Sequence, residues 1–264
     1  MVSYSSIFQK AFLPIGDKLV KTNVSKYFKK LRMSQWEDVD VIKQKQLKSM
    51  RKLLLYSYRN VPYYNKTLKN LNLYPSDFKT FSDFKRLPII DKTDIKADRG
   101  SFTSKIYPSA LVLQNRTGGT TGEPFYYNIT KNSVSYSWAS AYRAREWSGY
   151  RVGDKIATIG GSSLIPNEKL PLLKKLRNLS ERNYLFSGSH LNDKRIEDYI
   201  DSIQRKKISY LYGYPSSIYP LAEYLESNEK EINLDAIFTT SENLFPHVRE
   251  LIESTFNTKI YDQY

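Results

Sequence analysis

Hydrophobic residues in the first part of the chain recur with the spacing of an α-helix. Between residues 41 and 59 apolar positions return every three or four residues, and the pattern stops at Val61-Pro62. Such spacing puts apolar side chains on one helical face, and a residue before proline is disfavoured in a helix. Asp91 then precedes a short segment in the position of a helix cap. We therefore predict a helical N-terminal layer.

From about residue 110 the pattern changes to short strands. Residues 110–114 and 125–129 are predicted strands on either side of a loop rich in glycine and threonine. A helix over residues 132–147, closed by Gly149, is expected to bury one face. Its predicted buried residues are Val134, Trp138, Ala141, Tyr142 and the stem of Arg145.

The rest of the chain alternates strands and helices. Strands are predicted at 155–159, 184–186, 208–212, 236–239 and 259–261, with helices between the last four. Successive strand-helix units of this length predict an α/β fold with a mostly parallel sheet covered by helices. Ligands of such sheets bind at the carboxyl ends of the strands. The turns after Tyr212, Thr240 and Tyr261 are therefore expected on one rim.

Composition supports a globular protein and excludes some site classes. The 264 residues are 40% hydrophobic and 14% aromatic, which is enough to build a core. Cysteine is absent, so the chain has neither disulfides nor thiolate metal sites. No apolar run resembles a signal peptide or reaches membrane-spanning length. From this we expect a cytoplasmic protein without a transmembrane segment.

The net charge of +14 is concentrated near the N-terminus. Residues 1–60 contain 13 Lys and Arg against four Asp and Glu, interleaved with apolar residues. A solvated basic helical face would give this pattern, and so would a segment that contacts anionic lipid or nucleic acid. We take the solvated face as the working interpretation and expect no nucleic-acid partner.

Residues 116–124 carry the clearest chemical motif, Arg-Thr-Gly-Gly-Thr-Thr-Gly-Glu-Pro. Glycines let backbone amides approach a ligand, and threonine hydroxyls suit phosphate oxygens. The stretch is not a Walker A loop, because it lacks the Lys-Ser/Thr pair and precedes a strand. Composition alone leaves two alternatives, a phosphate loop and a surface hairpin loop.

The loop resembles the Ser/Thr-Ser-Gly-Thr-Thr-Gly-x-Pro signature of adenylate-forming enzymes. The match departs from that signature at the second of its paired glycines and at Glu123. The resemblance implies that the loop holds nucleotide phosphates. The implied residues are Thr117, Gly118, Gly119, Thr120, Thr121 and Gly122.

Three later turns are similar to the phenylacetate-coenzyme A ligase and capsular polysaccharide branch of that family. Residues 212–217 resemble its Gly-x-Pro-Ser segment, which implies a substrate pocket at Gly213, Tyr214 and Pro215. Residues 239–244 resemble its Gly-Ala-Glu-Pro-like loop, which implies nucleotide contacts from Ser241, Glu242 and Asn243. The final residues resemble the start of Tyr-Asp-x-Tyr-Gly-x-x-Glu, in which Tyr264 would stack on adenine.

The resemblance covers about residues 51–264 as the nucleotide-binding domain, and 1–50 form a basic helical segment. It implies ATP, Mg²⁺ and a small carboxylate substrate, with coenzyme A as a further substrate left open. The family's metal-associated Glu, ribose-binding Asp and catalytic Lys lie beyond the matched part, so no catalytic residue and no metal ligand is assigned. We expect a truncated domain without the C-terminal lid, complemented by a downstream polypeptide. It should bind nucleotide weakly, lack full activity and leave Leu251, Ile252 and Phe256 partly uncovered.

Some residues keep a structural alternative. Glu242 is equally explained as a helix-capping carboxylate before Pro246. His190 and His247 are the only histidines and are interpreted as loop or helix-start residues. Two other classes of function stay open, a basic binding module and a non-catalytic partner protein of the same fold.

Replacing Thr120 and Thr121 together by Val tests the phosphate loop. Removing two hydroxyl donors should weaken ATP or AMP binding about tenfold or more. Calorimetric titration of both proteins with either nucleotide measures the change. Equal affinities in the wild type and the double variant would remove the loop from the site.

Overall fold

The computed structural model describes residues 3–106, 112–116, 125–161, 164–165 and 172–263. The chain divides into two compact units. The first contains Met1–Leu31 and Ser135–Tyr264, and the second is Arg32–Val134. Residue 50, the predicted end of the basic segment, lies inside a helix of the second unit.

The elements follow the predicted order, with strand ends shifted by one or two residues. The helices are α1 Tyr4–Ile7, α2 Leu13–Val20, α3 Val24–Ser34, α4 Val39–Asn60, α5 Pro62–Asn70, α6 Lys92–Ala97, α7 Lys131–Arg145, α8 Leu172–Ser180, α9 Asp193–Lys206, α10 Pro215–Ser227 and α11 Pro246–Thr255. The strands are β1 Val112–Arg116, β2 Tyr126–Thr130, β3 Ile156–Gly160, β4 Asn183–Ser187, β5 Tyr210–Gly213, β6 Ala236–Thr240 and β7 Ile260–Gln263. In the described ranges, no helix combines the length and apolar character needed to cross a bilayer.

The first unit is built on a five-stranded sheet in the order β4-β3-β5-β6-β7. Every neighbouring pair is parallel, which confirms the predicted sheet. The chain moves outward from β3 in both directions, so β3 and β5 flank the point where strand order reverses. Because the strands are parallel, β5, β6 and β7 end on one edge, as predicted.

One face of this sheet packs on α9, α10 and α11. Their inward residues form a continuous core with strand residues such as Ala157, Leu211 and Ile237. The prediction that the last helix exposes its apolar side was wrong for Ile252 and Phe256, which are fully buried. They fill the space between α11 and the sheet, so this helix has a complete core beneath it.

The other face is covered by the N-terminal helices and α7. Phe8, Leu13 and Phe28 pack with residues of α7 and with strand side chains such as Phe238. The basic N-terminal segment up to Leu31 is therefore part of the sheet unit. Its buried stripe holds it against the sheet, and its lysines face solvent.

Burial on helix α7 confirms the prediction for Tyr142 and Arg145 and differs from it at Val134, Trp138 and Ala141, of which none is fully buried. The buried residues of α7 are Ser135, Ala139, Tyr142 and Arg145. Trp138 is 38% exposed, and Ser135 is fully buried. The Ser135 hydroxyl accepts a hydrogen bond from the backbone amide of Asn23, 3.0 Å away, so a polar residue occupies the core side.

The second unit has its own small core. Leu54 of α4 and Leu68 of α5 pack with Leu73 and Phe78 of the following turns. Strands β1 and β2 pair antiparallel, with Arg116 opposite Tyr126. This confirms the two predicted strands on either side of the Gly/Thr-rich stretch. Residues 117–122 of the proposed phosphate loop lie outside the described residues.

Asp17 joins two helices of the first unit. Its carboxylate accepts hydrogen bonds from the amides of Val24 and Ser25 and from the hydroxyls of Thr22 and Ser25, at 2.6 to 2.9 Å. It therefore caps the start of α3 from the body of α2. Burial alone would raise the pKa of Asp17, but these hydrogen bonds hold the pKa below its ordinary value.

Asp17→Asn should lower the free energy of unfolding by about 1–2 kcal/mol at pH 7. The NH₂ group of the new asparagine is a hydrogen-bond donor, and it would face the amide and hydroxyl of Ser25, which are donors as well. Because the folded pKa of Asp17 is lowered, its contribution is complete above the unfolded pKa of about 3.9 and is lost as the pH falls through the folded value. The difference in the free energy of unfolding between Asp17→Asn and the wild type should stay constant from about pH 7 to 5 and become smaller below about pH 4.

Urea unfolding across that pH range measures the effect. Asp201→Asn is the matched control, because Asp201 is exposed on α9. If Asp17→Asn lost no more stability than Asp201→Asn, the capping role of Asp17 would be contradicted.

Candidate functional site

A pocket opens at the carboxyl ends of β5 and β6. Its volume of about 560 Å³ is in the range of small-molecule sites. Residues from the turn after β5, the turn after β6 and the two following helices form its walls. They are Pro215, Ser216, Tyr219, Ser241, Glu242, Asn243, Phe245 and Val248.

The pocket brings together four of the predicted site residues. Pro215 comes from the predicted substrate set, whereas Ser241, Glu242 and Asn243 come from the predicted nucleotide set. Gly213 and Tyr214 immediately precede this wall, at the end of β5 and the N-cap of α10. Tyr264 and residues 117–122 lie outside the described residues, so their positions relative to the pocket stay a prediction.

Two helices begin at the pocket. Both α10 and α11 start with proline, and neither N-cap residue makes a capping hydrogen bond with its side chain. Backbone amides of a first helical turn lack intrahelical acceptors and carry partial positive charge. Polar oxygens of a ligand or of the protein are therefore favoured at this edge.

Glu242 supplies such oxygens to α10. Its carboxylate accepts a hydrogen bond from the Ser216 amide at 3.0 Å and another from the Ser216 hydroxyl at 2.9 Å. Glu242 therefore caps a helix, but the capped helix is α10, whereas the sequence alternative placed the cap at the helix that begins at Pro246. Parallel pairing of β5 and β6 places the turn after β6 beside the start of α10.

The turn that presents Glu242 is backbone-strained. Ser241 has a φ of 66°, in the left-handed region that residues with a side chain rarely adopt. The hydroxyls of Thr240 and Ser241 lie 3.3 Å apart. This conformation turns the chain out of β6 and directs residues 241–243 into the pocket wall.

Aromatic residues form the opposite part of the pocket. The Phe245 ring is 55% exposed and stacks on His247, with ring centroids 6.0 Å apart. Tyr219 meets His247 edge-on, at 6.5 Å. Ser216, Tyr219, Phe245 and Val248 were missed by sequence reasoning. One feature of the sequence indicates such residues. Tyr219 lies four residues after Pro215, so a helix that starts at the turn places both side chains on the same face.

Gly213 controls how closely β5 approaches β3. A Cβ atom at this position would lie 2.2 Å from the carbonyl oxygen of Ile159, its partner in the strand register. Close contact continues along this edge, where the Gly188 amide donates to the Gly160 carbonyl at 2.7 Å. Glycines therefore occupy the carboxyl ends of β3 and β5 and the position after β4.

The end of β7 is fixed by two polar contacts. The Thr239 hydroxyl donates to the Asp262 carboxylate at 2.7 Å, and Arg145 Nε donates to the Gln263 side chain at 3.1 Å. The Arg145 guanidinium also lies over the Tyr212 ring, 4.1 Å from its centroid. Arg145 is only 6% exposed, and through these contacts it links α7 to the binding edge.

A larger cavity of about 1140 Å³ lies within the second unit. Tyr56, Tyr64, Arg99 and Phe102 line it together with residues of β2. It contains none of the predicted site residues in the part of the chain that is described. Among the described residues there is also no cluster of three His, Asp or Glu side chains that could hold a metal ion.

No protein-family model matches the chain. Among curated proteins the chain is similar to Protein CapK of Staphylococcus aureus, with 25% identity over 265 residues, covering 98% of this chain and 57% of CapK. It is similar to the phenylacetate-coenzyme A ligase of Pseudomonas putida, with 28% identity over 127 residues, covering 48% of this chain and 29% of the ligase. The chain therefore spans little more than half the length of CapK.

Solved structures of 2-hydroxyisobutyryl-CoA ligase share the fold. One, in the postadenylation state in complex with 2-HIB-AMP, aligns with a TM-score of 0.64 and 20% identity over 85% of this chain and 48% of the ligase. Another is an open conformation in complex with 2-HIB-AMP and CoA. It aligns with a TM-score of 0.61 and 21% identity over 83% of this chain and 49% of the ligase. These matches confirm the predicted α/β fold.

Gly213→Ala should destabilise the protein by about 2–3 kcal/mol, because its new methyl group must displace a backbone oxygen. Gly161→Ala is the matched control, since a Cβ there meets nothing within 4 Å. The control should change stability by ~0.5 kcal/mol or less. Chemical unfolding measures both. Equal stabilities would show that β5 can move away from β3 without cost.

Proposed function

The chain belongs to the adenylate-forming superfamily, in the branch of phenylacetate-coenzyme A ligase and CapK, and we propose that its pocket serves ATP-dependent activation of a small carboxylate. In this reaction the carboxylate attacks the α-phosphate of ATP, which gives an acyl-adenylate and pyrophosphate. The nucleotide and the carboxylate must therefore bind next to each other.

One observation carries the proposal. Pro215, from the turn assigned to the substrate, and Ser241, Glu242 and Asn243, from the turn assigned to the nucleotide, line the same pocket. The sequence resemblance implies that these two turns contact two neighbouring ligands. Their convergence at the carboxyl edge of a parallel sheet supports a site where two substrates meet.

The pocket chemistry suits an adenosine phosphate. Phe245 and Tyr219 offer apolar ring surface for a purine. Ser241 and Asn243 offer polar side chains for the ribose and phosphate, and two helix N-termini favour negative charge nearby. We propose that residues 117–122 complete the phosphate contacts and that Tyr264 stacks on adenine.

Glu242 has a structural role in this proposal. With both carboxylate oxygens bound to Ser216, it fixes the turn after β6 against α10. It thereby positions its neighbours Ser241 and Asn243 for the ligand. We propose that Glu242 acts on nucleotide binding through this positioning.

We propose that Mg²⁺ enters bound to the nucleotide phosphates, as it commonly does in nucleotide sites. Coenzyme A as the acceptor of the activated acyl group is a further part of the proposal. A role in polysaccharide biosynthesis is proposed from the resemblance to the CapK branch. The resemblance implies that catalysis by the whole protein also uses groups beyond the matched part, which covers 57% of CapK.

Titration with AMP and with ATP·Mg²⁺ tests the nucleotide site. Asn243→Ala removes a polar side chain from the pocket wall and should weaken AMP binding about tenfold, as expected for a lost hydrogen bond. The matched control is Asn228→Ala, at the opposite end of α10, where the side chain bonds only to the Tyr224 carbonyl. The control should bind AMP like the wild type.

The outcomes decide whether this pocket binds nucleotide. AMP binding that Asn243→Ala weakens and the control preserves supports the enzyme. No nucleotide binding by the wild-type chain, or equal affinity in all three proteins, would reject this pocket as the nucleotide site.

A further inference from the structure

Helix α8 exposes all of its leucines. Leu172 and Leu179 are 72% and 74% exposed, although both belong to an amphipathic helix. The four leucines share one helical face, because they fall at positions i, i+1, i+4 and i+7. They are Leu172, Leu173, Leu176 and Leu179. Helices of soluble domains usually turn such a face toward a core.

The N-terminal helical segment exposes a second apolar row. Ile7, Ile15 and Leu19 are exposed, with Leu19 at 71%. None of the three belongs to the buried cluster that includes Phe8 and Leu13. The exposed row is therefore distinct from the residues that form the core against the sheet.

These two rows belong to neighbouring segments. The Tyr4 hydroxyl donates to the carbonyl of Ser180, the last residue of α8, at 2.8 Å. The Arg182 guanidinium lies over the Tyr4 ring, 3.7 Å from its centroid. The start of α1 thus contacts the end of α8. We call residues 3–21 and α8 together the basic apolar face.

Lysines accompany the N-terminal row along the chain. Lys10, Lys18 and Lys21 belong to the basic apolar face itself, and three more follow on α3. All six lysines of residues 3–31 are exposed, and within the described chain none of them forms an ion pair. The only acidic residue of this stretch is Asp17. Its carboxylate is buried and bound to the start of α3, so it does not offset the lysines at the surface.

The same arrangement recurs at α8. Lys174 and Lys175 are exposed beside the leucines. The only acidic residue of 172–182 is Glu181, which is buried. It accepts hydrogen bonds from the Tyr142 hydroxyl at 2.9 Å and from Arg177 at 2.7 Å. Both segments therefore present apolar side chains and positive charge, with their carboxylates turned inward.

We propose that the basic apolar face docks on an anionic lipid surface. An amphipathic helix binds a bilayer by sinking its apolar side chains to the acyl boundary while its cations meet acidic headgroups. A second copy of the chain would bring two positive faces together, which is unfavourable. Nucleic acid would use the lysines and leave the leucines without a role. A lipid surface uses both.

Vesicle co-sedimentation tests the proposal with the wild-type chain. Vesicles of phosphatidylcholine and phosphatidylglycerol should retain the protein, whereas pure phosphatidylcholine vesicles should not. Binding should fall as salt rises, because salt screens the attraction between lysines and headgroups.

Three variants locate the contact. Leu179→Asp and Leu19→Asp each place a carboxylate in one exposed row, and each should weaken binding roughly tenfold or more. Ile89→Asp is the matched control, because Ile89 is 98% exposed in the second unit and carries the same charge change. All these positions are exposed, so circular dichroism should show unchanged folding.

Each outcome decides the proposal. Charge-dependent vesicle binding that both row variants weaken and the control preserves supports it. Absence of vesicle binding, or a row variant that binds like the wild type, overturns it. Light scattering that shows a dimer broken by Leu179→Asp would assign the face to a second copy. Tight binding of an oligonucleotide, unchanged in both row variants, would assign it to nucleic acid.

Discussion

The close approach of β5 to β3 is the constraint on which the binding edge depends. Gly213 lies opposite Ile159 with no room for a side chain, and this contact sits where the strand order reverses. With β5 held there, parallel pairing sets the position of β6 and then of β7. The turns that follow these strands share an edge for that reason. The pocket between α10 and α11 is a direct result of the sheet register.

Three acidic residues of the first unit serve internal hydrogen bonds. Asp17 caps α3, Glu181 holds Tyr142 and Arg177, and Glu242 caps α10. Each joins segments that are separate along the chain or fixes the end of a helix, and each carboxylate is satisfied by several donors. This use of carboxylates also affects how charge is distributed between the interior and the surface. These three carboxylates lie inside the protein or at a helix end, while the lysines of the N-terminal segment stay in solvent.

The order of elements and the binding edge could be predicted from the sequence, because both follow from local signals. Alternation of short apolar strands with helices predicts a parallel sheet, and parallel strands end on one side. The two helices at the pocket begin at Pro215 and Pro246, and proline is favoured in the first turn of a helix. These features depend on residues close together along the chain.

Contacts between distant segments could not be predicted in the same way. The buried Ser135 is explained only by the amide of Asn23, and the cap formed by Glu242 only by Ser216 on the neighbouring turn. The N-terminal segment likewise appeared separate, because its basic composition gave no sign of its buried row against the sheet. The apolar pattern could show that a helix has an inward face, but not which partner receives it.

The glycines at the carboxyl edge differ in how much sequence change they allow. At Gly213 the obstacle is a backbone oxygen, which cannot move without moving a strand. At Gly188 it is partly the Ser217 hydroxyl and partly the backbone of Gly160, whereas at Gly160 it is the flexible side chain of Leu164. Divergent descendants of this sequence should therefore lose Gly160 first, Gly188 only together with changes around it, and Gly213 last.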